Sequence, residues 1–312
     1  MITELDDLTI HQIPTTMDHV DSGDPRWIDK LWFHVGTTSG EVSVAGHLGA
    51  YPNTNTMDGA ASVRVGDKQY NARFARELSR DRDRRQVGAL SAEIVEHFKA
   101  WRFVLAPREG QDISFDIRLE SAQQPMEVLA PVFHRQERHI IWNMWHYAQL
   151  GRASGSITVA GRNIALKPES AVGARDRSWG VRPIFGQVPR LAPLPESICV
   201  RSLWLAGQFD DHSVWLWLME PQDRKRAGLF GNLSDQTGRT RVDGAMAFGH
   251  GDGREQPRVV AAQPKLDLAP DGKSLRGGEI KVTDWDGREM TLSVRPLSTL
   301  YSKGLGYGHS QF

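Results

Sequence analysis

The sequence predicts an all-β protein made of two similar antiparallel barrel-like or sandwich-like domains. Three observations carry that expectation: segments in which polar and apolar residues alternate, glycine-containing turns between them, and an aromatic-hairpin pattern that occurs twice in the same order. The 312 residues exceed what a single compact core usually organises, which suits two domains or one large β-assembly.

Ser114-Phe115-Asp116-Ile117-Arg118-Leu119 alternates as a half-buried strand does, and so do Ser154 to Val159 and Glu279-Ile280-Lys281-Val282. Val159-Ala160-Gly161-Arg162-Asn163 and Asp284-Trp285-Asp286-Gly287-Arg288 read as hairpin connections, because glycine tolerates the positive φ of tight turns. Leu90 to Phe98 fits two periods. Ile94, Phe98 and Trp101 would make a helical stripe, but Leu90, Ala92, Ile94 and Phe98 also fit alternation, and strand is the preferred reading.

The repeat begins with Trp32-Phe33 followed by Val42 to Leu48, matched by Trp204 to Phe209 followed by Ser213 to Leu218. Met57-Asp58-Gly59-Ala60 then corresponds to Val242-Asp243-Gly244-Ala245, and Ser114 to Arg118 to Thr291 to Arg295. Chance similarity among hairpins is the alternative, since Asp-Gly steps are common in turns. A true repeat implies an extension over 1–24, one domain over 25–150 and a second over 151–312, with the junction somewhere within 131–193. A cleft between two such domains is a common place for a ligand.

Composition narrows the function classes. Thirty-eight basic and thirty-eight acidic residues give no net charge, and the aromatics are not interleaved with a basic excess, so nothing points to nucleic acid. Cys199 is the single cysteine, which excludes an intrachain disulfide and a four-cysteine zinc site. Met1 to Thr9 is acidic and lacks the order of a signal peptide, and no apolar run approaches the ~20 residues that span a bilayer. A cytoplasmic protein without membrane insertion is expected; a homodimer is compatible with the chain. Ten Trp and eleven Phe supply area for a core or for the wall of a cavity.

The richest stretch is Gly173-Ala174-Arg175-Asp176-Arg177-Ser178-Trp179-Gly180-Val181-Arg182. Asp176 there is open to three roles: proton donor, acceptor that orients a ring, or half of an ion pair with Arg175, Arg177 or Arg182. Strict alternation puts both flanking arginines on the face opposite Asp176 unless a bulge intervenes. His146 lies between Trp145 and Tyr147, where it suits a proton relay or a strand histidine satisfied by a carbonyl. Tyr147 suits a hydrogen bond to a substrate oxygen, or plain sheet packing. Asn53, Asn55 and Asp58, after Tyr51-Pro52, read first as turn chemistry, with Asn53 kept as a ligand contact.

Several motifs are missing. His134, His139 and His146 have no metal-ligand spacing, and the sequence lacks His-Glu-x-x-His and Gly-x-Ser-x-Gly. Ser154-Gly155-Ser156 sits in a strand pattern, not at a nucleophile elbow. Arg80-Asp81-Arg82-Asp83-Arg84-Arg85 reads as a solvated loop. Gly304-Leu305-Gly306-Tyr307-Gly308-His309 has the glycine density of a phosphate loop without its lysine.

The run Trp145-His146-Tyr147-Ala148-Gln149-Leu150-Gly151, leading through Ser154 to Arg162 and on to Arg175-Asp176-Arg177-Ser178-Trp179-Gly180, resembles the lipocalin-like superfamily of carotenoid hydratases (hydroxyneurosporene synthases) and AttH-like proteins. Arg26-Trp27, Gly49-Ala50-Tyr51-Pro52-Asn53 and Met57-Asp58-Gly59-Ala60 resemble uncharacterised bacterial members, and together the resemblance covers most of residues 25 to 310. It implies two lipocalin-like β-domains. It also implies cofactor-independent hydration, cyclisation or isomerisation of a hydrophobic unsaturated substrate of terpenoid, polyketide or steroid-like type, with no obligatory metal or redox cofactor. Tocopherol cyclases and fungal decalin-forming Diels–Alderases look like relatives. The hydratases' His-Asp-His-Asn-Trp-Gly run corresponds to Asp176, Trp179 and Gly180, with arginines at 175 and 177 and serine at 178.

Under this reading Asp176 is the acid–base group, His146 and Tyr147 position the substrate, Trp145 and Trp179 form walls, and Arg177 and Arg182 touch the ligand. A non-catalytic lipophilic carrier and a structural β-protein are the alternatives. The resemblance also implies a further Trp-rich strand past Gly304 to His309.

Overall fold

The computed structural model describes residues 4–8, 20–78, 84–121, 123–127, 132–136, 139–182, 200–221, 241–248, 256–271 and 274–301. Among them the chain is almost wholly antiparallel β, as the alternation predicts, and it falls into two compact units: Met1–Leu191 with Leu300–Phe312, and Ala192–Thr299. The division falls between Leu191 and Ala192, and residue 150 lies inside a strand, His139–Val159. Gly304 to His309, Cys199 and Arg80 to Asp83 lie outside the described residues.

The first unit forms one sheet from β1 (Trp27–Thr37), β2 (Val42–Tyr51), β3 (Thr56–Val65), β4 (Lys68–Glu77), β5 (Gln86–Val87), β6 (Leu90–Glu96), β7 (Ala100–Leu105), β8 (Ile113–Glu120), β9 (Met126–Glu127), β10 (Val132–Gln136), β11 (His139–Val159), β12 (Arg162–Leu166) and β13 (Ala171–Val181). Neighbours run β4-β3-β2-β1-β13-β11-β8-β7-β6-β5, with β9, β10 and β12 also paired to β11. The sheet curls into a nearly closed barrel. Arg76 of β4 spans the seam, donating from Nε to the Gln86 carbonyl of β5 at 2.9 Å and from Nη2 to the Arg84 carbonyl at 3.1 Å.

Alternation fills the barrel. Ile113, Phe115, Ile117 and Leu119 of β8 are buried, while Asp116 and Glu120 face out. Phe33 stacks on Phe103 with ring centroids 4.1 Å apart and meets Phe115 edge-on at 6.1 Å. Leu90–Glu96 is strand, which settles the ambiguous segment; Phe98, at φ 57°, turns the chain into β7. Val159 pairs with Arg162 across Ala160 and Gly161, whose φ of 47° and 79° make the two-residue hairpin expected there.

The second unit contains two three-stranded sheets, β14 (Val200–Gln208), β15 (His212–Pro221) and β16 (Arg241–Phe248), then β17 (Val259–Leu268), β18 (Leu275–Asp284) and β19 (Glu289–Val294). Val214, Leu216, Val259, Ile280, Val282 and Leu292 form its core. The β18–β19 turn is held by Asp284 Oδ1, which accepts from the N–H groups of Asp286 (2.9 Å) and Arg288 (2.8 Å).

β1-β2-β3 and β14-β15-β16 are both three-stranded antiparallel meanders, in the order in which the sequence pattern recurs. Its Asp-Gly steps lie inside third strands, with Gly59 opposite Leu48 and Gly244 opposite Leu216. A Cβ on Gly59 would stand 2.6 Å from Val87 Cγ1, and one on Gly244 2.5 Å from the Trp215 carbonyl oxygen. Close packing demands these glycines, not a turn.

Candidate functional site

β13 lies between β1 and β11, and its alternation sorts the Arg175-Asp176-Arg177-Ser178-Trp179 stretch onto two faces. Trp145, Tyr147 and Gln149 of β11 pair with Trp179, Arg177 and Arg175, and all point into the barrel. Ala148 and His146 pair with Asp176 and Ser178 on the opposite face. No register shift interrupts either ladder, so the arginines stand away from Asp176.

On the face away from the barrel core, His146 Nε2 lies 3.1 Å from Asp176 Oδ2. The His146 side chain is 5% exposed and that of Asp176 20%, and Asp176 Oδ1 has no hydrogen-bond partner among the described residues. The cross-strand register builds a platform around this pair. One row runs Ala60, His47, Trp32, Asp176, Ala148; the next runs Asp58, Gly49, Lys30, Ser178, His146. A second histidine–carboxylate pair, His47 Nε2 to Asp58 Oδ1 at 3.4 Å, therefore flanks Trp32 on its other side. Tyr51 donates its hydroxyl to Asp58 Oδ1 at 2.9 Å. Arg182 belongs to this face, donating to Ser178 Oγ at 3.0 Å and lying 6.0 Å from the Trp142 ring centre.

Inside the barrel, Arg177 donates to Asp29 Oδ2 at 2.7 Å and to the Leu8 carbonyl at 3.0 Å. Burial opposes its charge, but Asp29, with Tyr147 and Asp7, outweighs that and raises its pKa. Arg175 donates to Gln149 Oε1 (2.7 Å) and the Tyr147 hydroxyl (3.1 Å), and its guanidinium lies over Trp101 at 4.3 Å. Tyr147 donates to Asp7 Oδ1 at 2.7 Å. Burial works against the Asp7 carboxylate, yet Arg175, the Tyr147 hydroxyl, the Phe98 amide and Arg177 together hold its pKa below the usual range. Burial pushes the Tyr147 phenol up, so it acts as a donor.

The grouping expected from sequence is therefore divided by the sheet. Asp176, His146 and Arg182 share one face. Tyr147, Trp145, Trp179 and Arg177 share the other, where Trp179 meets Tyr147 edge-on at 6.2 Å. Asn53 belongs to neither, because its amide donates to the Ser22 and Asp24 carbonyls at 2.7 and 2.8 Å and ties a loop down. Asp58 sits in β3 and not in the turn formed by Asn53 and Asn55.

Residues 2–312 match a family described as "Family of unknown function (DUF8625)". The chain belongs to this family. No curated protein matches the sequence. Among solved structures, kievitone hydratase from Nectria haematococca is similar at a TM-score of 0.51 and 13% identity, over 85% of this chain and 75% of that one. CghA is similar at a TM-score of 0.52 and 11% identity, over 87% and 76%. At such identities the likeness establishes the fold.

In this DUF8625 chain the sequence reading took Asp58 for turn chemistry and missed His47, Lys30 and Trp32, which reach the platform only through register across five strands. It also missed Asp7 and Gln149. The signal for Gln149 was present: polar Tyr147 and Gln149 are two apart on one strand, as are Arg175 and Arg177 on its neighbour.

His47 also sets a pH dependence. It is buried, and burial lowers its pKa against the opposing pull of Asp58. His34, half-buried beside Ser43, is pushed down by burial to about 4. Such groups bind fewer protons folded than unfolded, so their contribution is fully present above the ordinary value of about 6.5 and is lost as pH falls through the folded value. The melting temperature should drop from about pH 7 to about pH 4.5, and His47→Gln should flatten that slope.

Proposed function

We propose that this chain is a cofactor-independent hydratase, cyclase or isomerase for a hydrophobic unsaturated substrate, with Asp176 as acid–base group and His146 as its proton partner. The observation that carries the reading is the Asp176–His146 pair itself: 3.1 Å apart, turned away from both neighbouring arginines, with one carboxyl oxygen unpartnered among the described residues. The name of kievitone hydratase, a neighbour in fold, points in the same direction.

In this reading a proton passes from Asp176 to one alkene carbon. The adjacent carbon becomes electron-deficient, and Trp32, the cross-strand partner of Asp176 on β1, is the aromatic side chain that would stabilise it. Water completes the valence in hydration and gives its extra proton back through His146; in cyclisation a second π-bond attacks instead, and a proton is lost elsewhere. The His47–Asp58 pair, across Trp32, is a second station for that proton.

The alternative is a lipophilic carrier. Small molecules extracted from the native protein and identified by mass spectrometry would be returned to it in D2O. An enzyme of this kind must give a product carrying carbon-bound deuterium. A carrier returns the molecule unchanged, and that result would sink the proposal.

A further inference from the structure

We propose that the Arg175 end of the first-unit barrel is a binding site for the carboxylate of an apolar-chain acid, and that Asp7 is its built-in occupant. This site lies on the opposite face of β13 from Asp176, so it stands or falls separately from the acid–base reading.

Arg175 and Arg177, the pair of guanidiniums that β13 buries inside the barrel, are neutralised differently. Arg177 finds Asp29 on β1, within the barrel wall. Arg175 is 1% exposed, and among the described residues its carboxylate partner is Asp7, 3.1 Å away, on the single turn Glu4–Asp7. The countercharge of a barrel cation thus comes from a short segment outside the sheet. Asp7 engages donors suited to any carboxylate: the Arg175 guanidinium, the Tyr147 hydroxyl at 2.7 Å and the Phe98 amide at 3.1 Å.

Around these donors the wall is aromatic. Trp101 lies under Arg175, and Phe98 and Trp179 meet the Tyr147 ring edge-on at 5.9 and 6.2 Å. The segment borders an open recess of about 430 Å³, lined in part by Leu8, Arg85, Ile94 and His97. That volume falls in the range of small-molecule sites, roughly 300–1,000 Å³. Arg85 donates to the Asp7 carbonyl at 2.5 Å, and its Nε is buried without an acceptor among the described residues. A ligand carboxylate would take over the Asp7 contacts, with its chain running along the aromatic wall into the recess. Because Asp7 is tethered, it competes at high effective concentration, and weakening it must strengthen ligand binding.

Decanoate is the probe, with 1-decanol as the control for chain burial, on the full-length protein. Asp7→Asn should bind decanoate at least about tenfold more tightly than wild type while decanol affinity hardly changes, and adding Arg175→Met should remove the gain. Should Asp7→Asn not fold, saturating decanoate on the wild type must displace the Glu4–Asp7 turn and so accelerate hydrogen exchange at the Leu8 amide, which donates to the Leu5 carbonyl at 3.0 Å while Asp7 is docked. Equal decanoate affinity in wild type and variant, a gain shared by decanol or surviving Arg175→Met, or an unchanged Leu8 exchange rate would overturn the proposal.

Discussion

Replacing Arg177 by methionine is expected to destabilise the first unit by about 3–5 kcal/mol. The guanidinium is fully buried and bonded to Asp29, itself 5% exposed, so removing it leaves a desolvated carboxylate without its principal countercharge. It also removes the donor to the Leu8 carbonyl and one of the charges that favour the Asp7 carboxylate. Methionine fills similar space, which separates the loss of charge from a cavity effect. Urea unfolding followed by tryptophan fluorescence reads the change. Asp29→Asn alone should cost a comparable amount, and the double variant much less than the sum. A loss below about 1 kcal/mol would mean that the pair behaves as a solvated surface bridge.

Much of the fold was legible because period-two alternation is local. Ile113–Glu120 shows it cleanly, and at Leu90–Glu96 it prevailed over a competing helical spacing. The order of the two meanders was legible, although the role of their glycines was not. Asp-Gly ordinarily signals a turn, yet Gly59 and Gly244 lie mid-strand, where neighbouring atoms leave no room for a Cβ. That requirement depends on what packs from elsewhere in the chain, and no local pattern records it.

The site was half legible for the same reason. Alternation applied to β13 correctly turns Arg175 and Arg177 away from Asp176. The same rule applied to β11 separates His146 from Tyr147, but their adjacency in sequence grouped them as one cluster. Period two makes neighbours in sequence strangers in space. The platform of His47, Asp58, Lys30 and Trp32 needed the register of β1, β2 and β3, and Asp7 reaches Tyr147 across 140 residues of chain. Neither is encoded in a short motif.

Asp176→Asn is the second large effect and bears directly on function. Asparagine is nearly isosteric and still offers His146 Nε2 a hydrogen bond, and among the described residues the ion-pair partner of Asp176 is His146 and not an arginine, so the fold should survive. What is lost is a group able to give and take back a proton at the substrate. Turnover of the extracted ligand should therefore fall by about 10²–10⁴-fold, with its affinity kept within a few-fold. His146→Gln should reduce turnover less, because it removes the partner and not the acid.

The decisive measurement is the rate of product formation by Asp176→Asn at saturating ligand, with binding followed in parallel by tryptophan fluorescence. Retained binding with a rate lower by about two orders of magnitude or more is the predicted result. A variant that binds and turns over as fast as wild type would contradict the assignment of Asp176 as the acid–base group.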